Sequence, residues 1–324
     1  MTAKADAQNH LAPDARRDDA IPNLTVVIAT FDRVKQCLVA IESVEEVHRA
    51  SGLDIETIVI EQGETQKYPI PKYFNGTWLY TTHCSVSHAR NAGLDRAKAD
   101  SVIFLDDDGE LLPGSAEVLT RHRDAGNSVT MGRVEWIGGA PANQTTPATK
   151  ITAGNLFKYF LECGTVWDVA ALRAVDGFDE RFGPPNEIGA EEGAEAIGRL
   201  ATHVKMPQTY EPVDMVRHPS LARLALFKAP RYGRGAGALM PLSPSWWTLR
   251  YWATIGGRRT VGMFVALLTR DFEMFHMRRR WLGGYVSGVI HGIRNRKVPI
   301  RRPPDLTVIP SPPTSSSLPS ERIR

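Results

Sequence analysis

Asp106, Asp107 and Asp108 close the apolar run Val102-Ile103-Phe104-Leu105 and are followed at once by Gly109. Four apolar residues of β-branched and aromatic type spell a buried strand. Carboxylates at the exit of such a strand lie on the rim of a sheet, where open α/β folds bind their ligands. Three adjacent carboxylates repel one another, and burying them unpaired costs more than a hydrogen bond returns. A positive group is therefore expected among them. Asp106 and Asp108 are two residues apart and share a face of an extended chain. Paired hard oxygen ligands suit Mg²⁺ or Mn²⁺. The alternating acids and central glycine of a calcium EF-hand are absent, which argues against that site.

The elements around the triplet follow from periodicity. Leu24 to Ala29 and Ile55 to Ile60 read as strands, with a short third at residues 78–81. Val34 to Arg49 and Ser87 to Lys98 read as helices, the second with Ser87 as its N-cap. Strand, helix, strand, helix, strand predicts a doubly wound parallel sheet with helices on its faces. Further on, a helix is expected to about Asp124, a strand over Val129 to Ile137, a loop over 138–150 and a helix from Glu191 to Leu200.

Bulk composition bounds the possibilities. A chain of 324 residues, 42% apolar, is long enough for a substantial core. Cys37, Cys84 and Cys163 show neither a disulfide framework nor metal-ligand spacing, which points to a reducing compartment. The polar opening MTAKADAQNHLAPDARRDDA has no apolar signal core. No apolar run approaches membrane-spanning length. Charge is unevenly spread. Arg217 to Arg302 holds 17 basic residues against Asp271 and Glu273, a net of +15, and the rest of the chain is at −12. A basic region on an acidic body implies an anionic partner.

In order along the chain come Val26-Val27-Ile28-Ala29-Thr30-Phe31-Asp32-Arg33, His88-Ala89-Arg90-Asn91-Ala92-Gly93, and Phe104-Leu105-Asp106-Asp107-Asp108. Asp176-Gly177-Phe178-Asp179-Glu180 follows, then Glu191-Glu192 with Arg199-Leu200. Together these resemble the motifs of family 2 glycosyltransferases of the GT-A fold, over about residues 23–218. The resemblance implies a nucleotide-sugar donor, a divalent metal and inversion at the anomeric carbon. A metal on Asp108, helped by Asp106, would act as a Lewis acid on the departing nucleoside diphosphate, and Glu192 or Glu191 would be the general base. Adjacent glutamates raise each other's pKa, which suits a base. The family's spacing to the Arg-Leu pair is one residue shorter, so both glutamates stay open and Glu195 stays in reserve. By the same matching, Thr30, Asp32 and Glu61 fall near base and ribose, Arg90 and Asp107 near the nucleotide, and His218 near the metal. Glu61-Gln62-Gly63-Glu64 departs from the family's Asp-Asp-Gly-Ser, leaving donor-base preference open.

Arg231-Tyr232-Gly233-Arg234-Gly235-Ala236-Gly237 reads as a flexible cationic loop in which Arg231 and Arg234 bind a diphosphate. Beyond it, Ser245 to Trp252, Arg258-Arg259 and Arg278-Arg279-Arg280-Trp281 place Trp and Arg beside short apolar helices. That combination suits a bilayer interface. Expected, then, are a leader at 1–22, a catalytic α/β GT-A domain at 23–218, a basic α-helical membrane-interface region at 219–298 and a flexible proline-rich tail at 299–324. The protein would be cytoplasmic and peripheral on the inner membrane face, using a glycan or lipid-linked acceptor in cell-surface polysaccharide assembly. The alternative is a non-catalytic GT-A protein that binds nucleotide sugar and is tethered to the membrane. A nicotinamide-dependent oxidoreductase is disfavoured because no Gly-x-Gly-x-x-Gly follows the first strand. No nucleic-acid motif accompanies the basic charge.

Overall fold

The computed structural model describes residues 21–64, 70–71, 74–138, 147–219, 225–301 and 306–309. The leader at 1–20, the centre of the 138–150 loop and the tail past 309 lie outside these residues. The chain runs β1 (Leu24–Thr30), α1 (Val34–Ser51), β2 (Ile55–Gln62), β3 (Thr77–Thr81), α2 (Val86–Arg96) and β4 (Ser101–Asp106). These four strands form a parallel set in the order β3-β2-β1-β4. Side chains alternate between its faces. Val27, Ile58, Ile60 and Phe104 join the core on one side, and Val26, Ile28, Val59 and Ile103 join the core on the other. Strands buried on both faces have no polar side to show, hence their continuous apolar sequence.

The sheet continues through β5 (Glu110–Leu111), α3 (Gly114–Asp124), β6 (Val129–Ile137), β7 (Thr149–Lys150), α4 (Leu156–Tyr159), β8 (Thr165–Asp168), α5 (Val169–Ala174), α6 (Glu192–His203) and β9 (Gln208–Pro219). β8 lies antiparallel between β4 and β6, and β9 runs parallel to β6. The result is a mixed, mostly parallel sheet flanked by helices. β9 delivers His218 to the rim where β4 ends.

Three local expectations are corrected. The N-cap of α2 is Ser85, whose side chain accepts from His88 N–H, so the helix begins ahead of Ser87. The glycine-rich stretch at 231–237 is no loop but the middle of α7 (Ala225–Leu242). Its glycines serve close packing, as do those of α9 (Phe272–Asn295). A Cβ on Gly233 or Gly237 would strike the backbone of Trp281 or Tyr285, and one on Gly284 or Gly288 would strike that of Pro230 or Arg234. Glycines four apart on both helices let the backbones meet, which outweighs the cost of about 1 kcal/mol per helical glycine. Gly235 faces the other way and makes room for Ala190 and Glu191. Third, the tail is not free throughout. β10 (Leu306–Ile309) pairs antiparallel with β3, and Ile300 O accepts from Glu180 N–H at 2.7 Å.

α8 (Trp246–Leu268) joins both parts. Its first half packs on the sheet domain: the Trp247 ring lies over Gly198 and Tyr251 is buried. Its second half and the start of α9 expose Val261, Phe264, Val265, Leu268 and Phe272.

Candidate active site

The sheet rim supplies three cations to the acid triplet, as the repulsion argument requires. Arg33, in the loop after β1, donates to Asp107 Oδ1 at 3.1 Å and Asp108 Oδ2 at 2.9 Å. Arg90 of α2 donates to Asp106 Oδ1 at 3.1 Å. His218 Nε2 lies 3.4 Å from Asp106 Oδ2 and 3.1 Å from Asp108 Oδ1. Burial works against the imidazolium, but the two carboxylates outweigh it and push His218 up to about 10. Its Nδ1–H donates to Pro219 O at 2.9 Å, which leaves Nε2 directed at the acids. Asp106 is held below the usual carboxylate range because His218 and Arg90 outweigh its burial, and Asp108 chiefly because of His218. Asp107 differs. Burial pushes it up despite Arg33 and a 2.9 Å bond from the Thr30 hydroxyl.

Arg90 is buried and also donates to Glu162 Oε1 and to Glu192 Oε1, the latter at 3.2 Å. One guanidinium thus joins the triplet to a second acidic group. Burial drives Glu162 well above the usual glutamate range, with Arg90 opposing and Glu192 and Asp106 adding to the effect. Glu192 opens α6, and its Oε2 is buried with no hydrogen-bond partner among the described residues. Glu191 precedes it with φ 75°. A non-glycine residue in this left-handed region is strained, and such strain gathers at functional sites. Tyr251 Oη of α8 donates to Glu191 Oε2 at 2.9 Å. Burial pushes Glu191 up to about 7, against the Tyr251 hydroxyl and helped by Glu192.

Two adjoining chambers meet at Asp106, His218 and Tyr232. One, of about 520 Å³, is lined by the whole triplet with Arg33, Lys228 and Arg231. The other, of about 430 Å³, is lined by Arg90, Glu162, Cys163, Glu191, Glu192 and Tyr251. The first can hold an anion next to a cation site, and the second offers carboxylates to a hydroxyl. Two aspartates and an imidazole whose Nε2, once it gives up its proton, faces both of them are a donor set that fits a divalent cation.

Asp106, Asp107, Asp108, His218, Arg90, Glu191, Glu192 and Arg231 come together as the sequence suggests, and Thr30 supports them from behind. Others do not. Glu61 is buried, accepting from Trp78 Nε1–H at 3.0 Å, and Gln62 lines the chamber in its place. Asp32 sits exposed with φ 57° and lines neither chamber. Arg234 reaches the Glu187 carbonyl at 3.5 Å and lines neither chamber, because its backbone sits on the face of α7 that packs against Gly288 of α9. Glu195 is locked to Arg199 at 2.6 and 2.7 Å and is fully buried, so it leaves the contest for a base. Asp179 and Glu180 are structural partners of Arg181 and His88. Sequence reasoning missed Glu162, Cys163, Arg33, Lys228 and Tyr251. Arg33 stood inside the first-strand motif, and Tyr251 inside the aromatic stretch 245–252 that reads as a membrane address.

The sequence profile of Glycosyl transferase family 2 matches residues 25–182. No curated protein matches the chain. Among solved structures, S. aureus TarS 1-349 is 11% identical with a TM-score of 0.47, over 82% of this chain and 90% of that one. TarS 1-349 in complex with UDP-GlcNAc is 12% identical with a TM-score of 0.48, over 85% and 93%. Its complex with UDP gives 12% and 0.49, over 88% and 96%.

Proposed function

We propose that this chain, a glycosyltransferase whose residues 25–182 match the Glycosyl transferase family 2 profile, moves a sugar from a nucleotide-sugar donor to a hydroxyl acceptor with inversion. The observation that carries the reading is the meeting of the two chambers at Asp106 and His218, with cations on one side and an unpartnered Glu192 oxygen on the other. The donor diphosphate occupies the first chamber, where Arg33, Lys228 and Arg231 answer its charge. Asp106, Asp108 and His218 would hold Mg²⁺ or Mn²⁺. When bound, that ion supplies Lewis-acid stabilisation of the leaving diphosphate. The acceptor hydroxyl enters the second chamber. Its oxygen bonds to the anomeric carbon as the carbon–phosphate oxygen bond breaks, and its proton passes to Glu192 Oε2. Arg90, donating to Glu192 Oε1, fixes the orientation of the carboxylate for that transfer. Glu191, held by Tyr251, orients the acceptor beside it.

The exposed apolar stripe of α8 and α9, with Arg270, Arg279 and Arg280 around it, supports peripheral docking on an anionic membrane. No described helix is long and apolar enough to cross one. A lipid-linked acceptor, as in cell-surface glycan assembly, would then meet the second chamber beside α8. The non-catalytic alternative loses ground because an unpartnered carboxylate oxygen is costly to keep in a merely binding site.

The test is binding and hydrolysis of a panel of nucleotide sugars with Mn²⁺. One donor should bind and hydrolyse slowly. Asp108→Ala should abolish both, and Glu192→Gln should keep binding and lose about 10²–10⁴-fold in transfer, the range of a general base. Undiminished transfer by Glu192→Gln would remove Glu192 from its role, and absence of any donor binding would sink the transferase chemistry at this site.

A further inference from the structure

We propose that Cys163 completes a second, soft metal position with Asp106 and His218, one that takes a thiophilic divalent cation of the zinc and cobalt class. It takes from the reading above only that a divalent ion meets the rim of β4. Cys163 follows Glu162 in the short helical turn before β8 and is 4% exposed. Unlike an ordinary buried thiol it faces charged groups, lining the second chamber with Arg90, Glu162 and Asp106. Its Sγ, a carboxylate oxygen of Asp106 and a ring nitrogen of His218 all lie within 4.8 Å of one another.

Thiolate, imidazole and carboxylate are the donors zinc takes in tetrahedral sites that keep a fourth position open. Bond lengths of 2.0–2.3 Å around a tetrahedral ion set neighbouring donors about 3.3–3.6 Å apart. The present spread therefore needs to contract by about 1 Å, within the reach of side-chain rotation on a fixed backbone.

The two metal positions share Asp106 and His218 and differ in their third donor. Asp108 belongs to the first chamber, and with it the set is all oxygen and nitrogen, suited to Mg²⁺ or Mn²⁺. Cys163 belongs to the second chamber, and with it the set turns soft. A zinc-class ion on Cys163 uses the two shared donors, so the positions cannot both be filled. Such an ion would displace Mn²⁺ and occupy the acceptor chamber.

The experiment is a Co²⁺ titration of the full-length protein read by absorption. Wild type should show a thiolate-to-cobalt charge-transfer band that saturates with one equivalent of Co²⁺. Cys163→Ser should lose the band and bind Co²⁺ at least about tenfold more weakly, since even an outer-shell partner is worth that much. Its Mn²⁺ affinity should stay within about twofold. Cys84→Ser, which removes the cysteine of the first chamber, should keep the band. Should Cys163→Ser fail to fold, protection of Cys163 from alkylation by Co²⁺, mapped by mass spectrometry on wild type, decides the same point. Cobalt bound without a thiolate band, a band that survives Cys163→Ser, or no cobalt binding at all overturns the proposal. A protein that hydrolyses a nucleotide sugar and fails these tests keeps its transferase chemistry and loses the soft site. One that passes them and binds no donor does the reverse.

Discussion

Tyr251 Oη reaches Glu191 Oε2 at 2.9 Å, and that bond ties the C-terminal helices to the acid pair at the start of α6. A donor on a carboxylate favours its charged form, so Tyr251 restrains the rise that burial imposes on Glu191. Tyr251→Phe should push Glu191 above its value of about 7. On the reading that Glu191 works ionised beside Glu192, the acidic limb of kcat/KM against pH should move to higher pH. The rate loss should be largest below pH 7 and shrink above pH 8. An unmoved limb would mean that Glu191 does not titrate in the productive complex.

The same raised pKa predicts a stability signature independent of turnover. Glu191 sits near 4.5 when unfolded and at about 7 when folded. Between these values the native state binds the extra proton, so stability falls as pH rises. The favourable contribution is complete below about pH 4.5 and gone above about pH 7. Glu191→Gln cannot titrate. Melting temperatures of wild type and Glu191→Gln taken from pH 4.5 to 8 should therefore diverge, with the variant gaining on wild type as pH rises. Parallel curves would contradict a buried, protonatable Glu191.

Much of the site was legible because charge repulsion and strand periodicity are local facts. Asp106 and Asp108 declare a need for cations in the sequence itself, and Arg90 and His218 sat in recognisable motifs. Glu162 and Cys163 did not. They reach the rim through the antiparallel placement of β8 between β4 and β6, a pairing that no residue spacing announces. The glycines of α7 misled for a physical reason: freedom for a loop and clearance for a helix partner leave the same mark in sequence, and only α9 tells them apart. Glu61 was carried by position along β2, yet the side chain there is spent on Trp78.

Adjacent glycines of α9 test the packing explanation with opposite signs. A Cβ at Gly284 would strike the Pro230 carbonyl, whereas one at Gly283 meets nothing within 4 Å. Gly284→Ala should destabilise by about 1–3 kcal/mol through overpacking. Gly283→Ala should stabilise by up to about 1 kcal/mol through helix propensity. Equal shifts in denaturant midpoint would refute close backbone contact between α7 and α9.

Membrane docking by the α8–α9 hairpin separates into two contributions with different salt dependence. Leu268 is 82% exposed and Phe264 56%, on one face with Val261 and Val265. Burying one such side chain contributes about 1.5–3 kcal/mol, so Leu268→Ser should weaken binding to phosphatidylglycerol vesicles by about tenfold or more. Arg279 and Arg280 contribute about 1 kcal/mol each near an anionic surface, so replacing both with Ala should cost roughly thirtyfold. At 1 M salt the screening length falls to about 3 Å. The arginine effect should then vanish and the Leu268 effect persist. Vesicle binding that ignores all three residues would leave the exposed stripe to another partner, and an arginine effect unchanged by salt would mean that the two arginines hold the hairpin's structure and do not read lipid charge.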